Sequence, residues 1–355
     1  MLTLPSNIGI PIQLLASSFN NTSATYKFYW FLALLEEVEE GNTIINKQHL
    51  FARMLANAWY TVNYFHVSFG KQDKFAQYIE EIAKIEHISI DAKKSIIVNI
   101  LNTSTNKRTQ QILRYFDGEV PYRFLSPWFP RIKGDRKSIY KYSQQFENDS
   151  LYAVNEHEVI INPKWIEYLL QNAGILKSFS YWHLSLYLQK HNPNVPDIPN
   201  KLVKPAQRGS LSKQRKLFWD VVLDHSPPLS CIYTEAPLIK DNYAVEHFIP
   251  YAFVSHDLVW NLIPADKRFN SSKSDKLPPL DVYFEPYFQL QKQGLLVIEQ
   301  LDSRNKLLED YLPILPNLAE LKLLSDDSLK ERFKETIQPL VTIAANNGFE
   351  YFPLR

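Results

Sequence analysis

From residue 20 to about 116, apolar positions recur at three- and four-residue spacing, so the chain opens as consecutive helices. The segment 26–41, YKFYWFLALLEEVEEG, follows Thr22 and Ser23 and stops at Gly41, a C-terminal cap signal. Four glutamates, Glu36, Glu37, Glu39 and Glu40, crowd the unfavourable end of its dipole. Further helices are predicted over 47–65, 73–86, 91–102 and 106–116. In the first of these, Leu50, Met54, Leu55, Ala58 and Val62 make one stripe suited to burial. The pattern then changes. VPYRFLSPWFP (120–130) is punctuated by proline and predicts an extended surface run. LYAVNEHEVII (151–161) reads as a hairpin turning at Asn155-Glu156, with His157 on its solvated edge. Asn162 caps a helix with Pro163 at its first position and Gly174 just past its end.

The clearest boundary is HNPNVPDIPNKLVKP (191–205), where Pro193, Pro196, Pro199 and Pro205 favour an extended connector. The charge changes beside it. Lys201, Lys204, Arg208, Lys213, Arg215 and Lys216 follow one another with no acid between them. Such a run is usually a solvated face, but it can also grip phosphates. Ser212 is placed to cap a helix running to about His225. CIYT (231–234) and YAVEHFIP (243–250) read as short strands, and FNSSKSDKL (269–277) begins a short helix with Asn270 or Ser271 near its N-terminus. Residues 285–348 carry two or three amphipathic helices. The expected fold is therefore mainly α. A helical domain spans 1–190, a Pro-rich basic linker 191–211 and a small strand–strand–helix module 212–284; C-terminal helices, 285–355, pack on the module.

Composition narrows the function. The 355 residues are 45% hydrophobic with 7 Trp, 20 Tyr and 21 Phe, enough to bury a core. Only 9 are glycine, and neither G-x-G-x-x-G nor G-x-x-x-x-G-K-[ST] occurs, so the usual phosphate-cradling loops are missing. A net charge of +1 excludes a histone-like polycation but not a local basic groove. The single cysteine, Cys231, excludes an intramolecular disulfide and a four-cysteine zinc site. A reducing cytoplasm is the expected setting. The first charged side chain is Lys27, and Pro5, Asn7 and Pro11 break the early apolar run, so no signal peptide is expected. No stretch of about 20 apolar residues is present to span a bilayer.

The chemistry concentrates between 229 and 279. Hydrolysing a phosphodiester needs a deprotonated water and a cation to neutralise the charge developing on phosphate. Histidine titrates near neutrality, and a carboxylate with an amide carbonyl offers oxygen ligands for Mg²⁺. Adjacent strand residues point to opposite faces, so Glu246 and His247 serve one site only where the strand ends or bulges, and Pro250 is consistent with an end. Singly, each residue has an ordinary use: His247 in a core, Asn261 in a turn, Asn270 at a helix cap.

Jointly they resemble the HNH, or ββα-metal, nuclease family. VEHFIPYAF, WNLIPADK and FNSSKSDKLP follow the family's order of an acid–His pair, Asn-Leu, and an Asn followed by Ser, Lys and Asp. The layout looks particularly like the HNH domain of RNA-guided CRISPR effectors, over about 225–280. The resemblance implies an HNH endonuclease that hydrolyses DNA, with His247 as general base. It implies Glu246 and Asn270 as ligands of Mg²⁺ or Mn²⁺, no zinc, and Asn261 fixing the connector by hydrogen bonds to backbone. Lys273, with Lys267, Arg268 and Lys276 of the same block, would contact phosphate. The basic positions Arg208, Lys213, Arg215 and Lys216 would extend that surface. His225 and His256 flank the module, and His256 is expected to face solvent. The family's acid is usually aspartate; the longer Glu246 shifts the metal or binds it through water. The same resemblance implies a role in bacterial defence against phage or foreign DNA, with a co-encoded partner such as an ATPase, possible oligomerisation and no membrane. Two other readings stay open: a catalytically weak or inactive nucleic-acid-binding scaffold, and an RNase toxin.

Overall fold

The computed structural model describes residues 3–20, 22–132, 134–202 and 209–354. It is mainly α and divides into two compact units. The first holds the described residues up to Pro193 with Ile198–Leu202; the second holds Asn194–Asp197 and everything described from Gly209 onward. Among the described residues, no helix is long and apolar enough to cross a membrane.

The first unit is built around helix α1 (Tyr26–Glu39), which is buried on nearly every side, as a helix apolar all round must be. It ends where Gly41 takes φ +88°, a conformation glycine adopts without Cβ strain. Strand β1 (Ile44–Asn46) leads into α2 (Lys47–Asn63), whose Leu50, Met54, Leu55, Ala58 and Val62 are all buried. The four glutamates at the end of α1 do not face one another unrelieved. Arg53 pairs with Glu37 and Glu40, Lys94 with Glu36, and Lys177 with Glu39. His49 Nε2 lies 2.7 Å from Glu37 Oε1. Burial pushes the Glu37 carboxyl up, but His49 and Arg53 outweigh it and hold it below the ordinary glutamate value. Strands β2 (Tyr152–Val154) and β3 (Glu158–Ile161) form the hairpin, and β1 joins it in the antiparallel order β1-β3-β2. His157 at its turn is exposed.

Two expectations for this unit need correcting. Helix α3 (Pro163–His191) does not stop at Gly174 but runs seventeen residues further. Asn162 caps it, and buried Leu169, Ala173, Leu176 and Phe179 carry it through the glycine. Packing thus outweighs the roughly 1 kcal/mol that a mid-helix glycine costs. The proline-rich 120–130 segment is not extended. Pro121 and Pro127 instead start short helical turns, Pro121–Phe124 and Ser126–Trp128, where their missing N–H groups would be unpaired anyway.

In the second unit, Ser212–Gln214, a π-helical stretch Arg215–Trp219 and α4 (Asp220–His225) form one continuous helical run. The strand reading of CIYT fails. Cys231 and Glu235 close a tight turn, with Glu235 N–H donating to Cys231 O at 2.9 Å. Strand β4 (Ala244–His247) pairs instead with β5 (Leu262–Ala265), in the antiparallel register Glu246↔Ile263 and His247↔Leu262. All four β5 residues are buried, the pattern of a strand covered on both faces, which explains why no alternation announced it. Helix α5 (Lys267–Lys273) follows at once, capped by Asp266 Oδ1, which accepts from Phe269 N–H at 2.9 Å. Strand–strand–helix therefore stands, with the 243–250 strand present as β4 and β5 in the place expected of CIYT. Helices α6 (Leu280–Leu301) and α7 (Asp326–Asn346) complete the unit.

Candidate active site

His247 is the last residue of β4, and its side chain is mostly buried. Strand alternation sends its imidazole and the Glu246 carboxylate to opposite faces. The imidazole meets the loop between β4 and β5, where His247 Nε2 lies 2.9 Å from Asp257 Oδ1. A carboxylate only accepts, so Nε2 carries the proton of this bond, and in the neutral imidazole the lone pair lies on Nδ1. Tyr251 packs edge-on to the ring at 5.4 Å.

That loop is held from within. Asn261 is fully buried; its Nδ2 donates to Ile249 O at 2.9 Å and its Oδ1 accepts from Ile249 N–H at 2.8 Å. Phe248 N–H donates to Asn261 O at 2.7 Å. One side chain thus satisfies both backbone groups of the residue two beyond His247, fixing where β4 hands over to the loop. Gln214 Nε2 donates to Asp257 O at 3.2 Å, tying the loop to the basic helical run.

Glu246 faces inward and is 4% exposed. Its Oε1 accepts from the Tyr233 hydroxyl at 2.5 Å. Its Oε2 lies 3.1 Å from Lys273 Nζ, and the same ammonium donates to His247 O at 2.8 Å. Burial, and then the Glu246 charge, push the Tyr233 phenol well above its ordinary range, so it stays a donor. Asn270 sits one turn into α5, not at its cap, and is half-buried; no side-chain hydrogen bond forms to it among the described residues. As arranged, this donor set does not fit a metal ion. The carboxylate expected to hold one has both oxygens engaged, one of them by an ammonium. Among the described residues, no group of three or more His, Cys, Asp or Glu side chains is placed to hold a metal.

The expected phosphate contacts separate into two kinds. Lys273, expected at the phosphate, is 2% exposed and turned toward Glu246. Arg215 is half-buried, lies 4.4 Å over the Tyr243 ring and is 3.9 Å from Asp220. Lys267 is exposed and donates to Asp241 O at 3.2 Å; Arg268, Lys213 and Lys216 are exposed, and Lys276 is half-buried. Arg208 lies outside the described residues. Cys231 is buried, and its Sγ accepts from Asp266 N–H at 3.3 Å, a structural use of the thiol. His225 Nδ1 bonds within its own helix to Val221 O, and His256 packs on Trp260 rather than standing free in solvent.

Sequence reasoning missed Asp257 and Tyr233. Asp257 carried a signal: it is the only carboxylate between His247 and Asp266. Tyr233 carried none, because CIYT was read as a strand of the hairpin.

Residues 231–279 match the family model described as HNH endonuclease. No curated protein and no solved structure matches the chain. The matched stretch contains β4, the Asn261-clamped loop, β5 and α5. HNH nucleases act on nucleic acids and use divalent metals.

Proposed function

We propose, taking residues 231–279 as an HNH module, that this protein is an endonuclease hydrolysing phosphodiester bonds of DNA in the presence of Mg²⁺ or Mn²⁺. The observation that carries the reading is the His247–Asp257 pair at the end of β4, held by the Asn261 clamp. With Nε2–H bonded to Asp257, the Nδ1 lone pair takes a proton from the attacking water, and the Asp257 charge stabilises the imidazolium that results. Asp257 acts through His247 and is a positioning residue. The exposed Lys213, Lys216 and Arg268 supply the sequence-independent attraction for the phosphate backbone.

DNA is favoured over RNA by the likeness to the DNA-cutting members of the family, an analogy at the level of the module. The same likeness suggests a role in defence against foreign DNA. Phage-plating efficiency on cells expressing wild type should fall relative to cells expressing His247→Ala; equal plating would remove that role.

The direct test is cleavage of supercoiled plasmid and of a structured RNA by the full chain, with Mg²⁺, with Mn²⁺ and with EDTA. Nicking or linearisation of plasmid that EDTA abolishes is expected. Cleavage of RNA alone would move the reading to a ribonuclease, and cleavage of neither would favour the scaffold reading.

A further inference from the structure

Glu246 and Lys273 form a deeply buried ion pair, with side-chain exposures of 3% and 1%. Each charged group of the pair also has a further hydrogen-bond partner. Tyr233 holds one carboxylate oxygen, Lys273 the other, and the ammonium spends a second donor on the backbone carbonyl of His247. Aromatic rings close over it: Tyr233 stacks on Phe269 at 4.4 Å, and Phe352 meets both. Water therefore screens the pair little, and a second cation brought to this carboxylate meets the ammonium's repulsion at nearly full strength.

We propose that Lys273 is a built-in competitor for the metal: the ammonium and a divalent ion are mutually exclusive partners of Glu246, so the module rests in a metal-excluding state. Loading a metal then requires Lys273 to leave the carboxylate. The inference rests on the reading of this unit as a divalent-ion-dependent nuclease and adds its control. The backbone changes direction directly after Lys273. Lys273 is the last residue of α5, and Ser274 directly after it takes φ +52° and ψ −127°, which costs a non-glycine residue energy. Removing the ammonium makes the buried carboxylate an uncompensated charge, and a divalent cation becomes its best remaining partner.

The test is Mn²⁺ binding to the full chain without nucleic acid, followed by electron paramagnetic resonance of free Mn²⁺. Lys273→Met should bind Mn²⁺ about 5–150-fold tighter than wild type, the span of a typical coupling between two sites. The gain should vanish in the double variant Glu246→Gln/Lys273→Met. Binding by Lys273→Met no tighter than wild type overturns the proposal, as does a gain that survives in the double variant. A second measurement needs no variant. Amine labelling read by mass spectrometry should find Lys273 protected without metal and labelled at saturating Mn²⁺. Protection that persists at saturating Mn²⁺ overturns the competition. Wild type that cleaves DNA while Lys273 stays protected would sink the competition and leave the nuclease reading intact. Metal-dependent labelling without any cleavage would do the reverse.

Discussion

Asp257 shows how one side chain decides the role of another. Its bond to His247 Nε2 fixes the imidazole tautomer and aims the remaining lone pair. Asp257→Ala should lower kcat by one to two orders of magnitude, part of the ~10²–10⁴ that a positioned base supplies. KM for DNA should change little, because Asp257 acts through His247 and not on phosphate. A change confined to KM would make Asp257 a substrate-binding residue instead. The residues quoted from the sequence as an acid–His pair were legible as types and in order. Their environments were not. Alternation along β4 could say that Glu246 and His247 diverge, but not which face would be dry. Glu246 turned out to share the dry face with Lys273, twenty-seven positions away, and only the packing of α5 on the hairpin brings them together.

At the scale of elements, helices were readable wherever an amphipathic or fully apolar run was long. The strand partner of β4 was not. CIYT has the β-branched and aromatic character of a strand, yet it closes a turn. LIPA contains a proline, yet it forms the hairpin from the buried side. Propensity lost to burial in both cases. One contact between elements of the second unit is especially close. Gly294 of α6 faces the π-helical stretch so closely that an added Cβ would stand 2.9 Å from Phe218 Cε1 and 3.4 Å from Trp219. Gly294→Val should therefore lower stability by about 1–3 kcal/mol through overpacking, measured by chemical unfolding. An unchanged midpoint would mean that Phe218 yields freely.

For the whole molecule, a charge of +1 hides strong local structure. In the first unit, basic side chains are spent on the glutamates at the end of α1. In the second, Lys213 and Lys216 stand exposed on the helical run that Gln214 ties to the Asp257 loop. Lys213→Glu/Lys216→Glu should weaken DNA binding and flatten its salt dependence, each lost phosphate contact removing about one from the slope of log K against log salt. Unchanged binding would make this run a solvated face. Arg215 belongs to a different class, since its place over Tyr243 and near Asp220 gives it packing work. The central claim is that His247 activates water for cleavage of DNA. Its most direct test is the single-turnover rate of plasmid cleavage by wild type and His247→Ala under the same divalent metal. The wild-type rate should exceed the variant's by about 100-fold or more. Equal rates would contradict the claim.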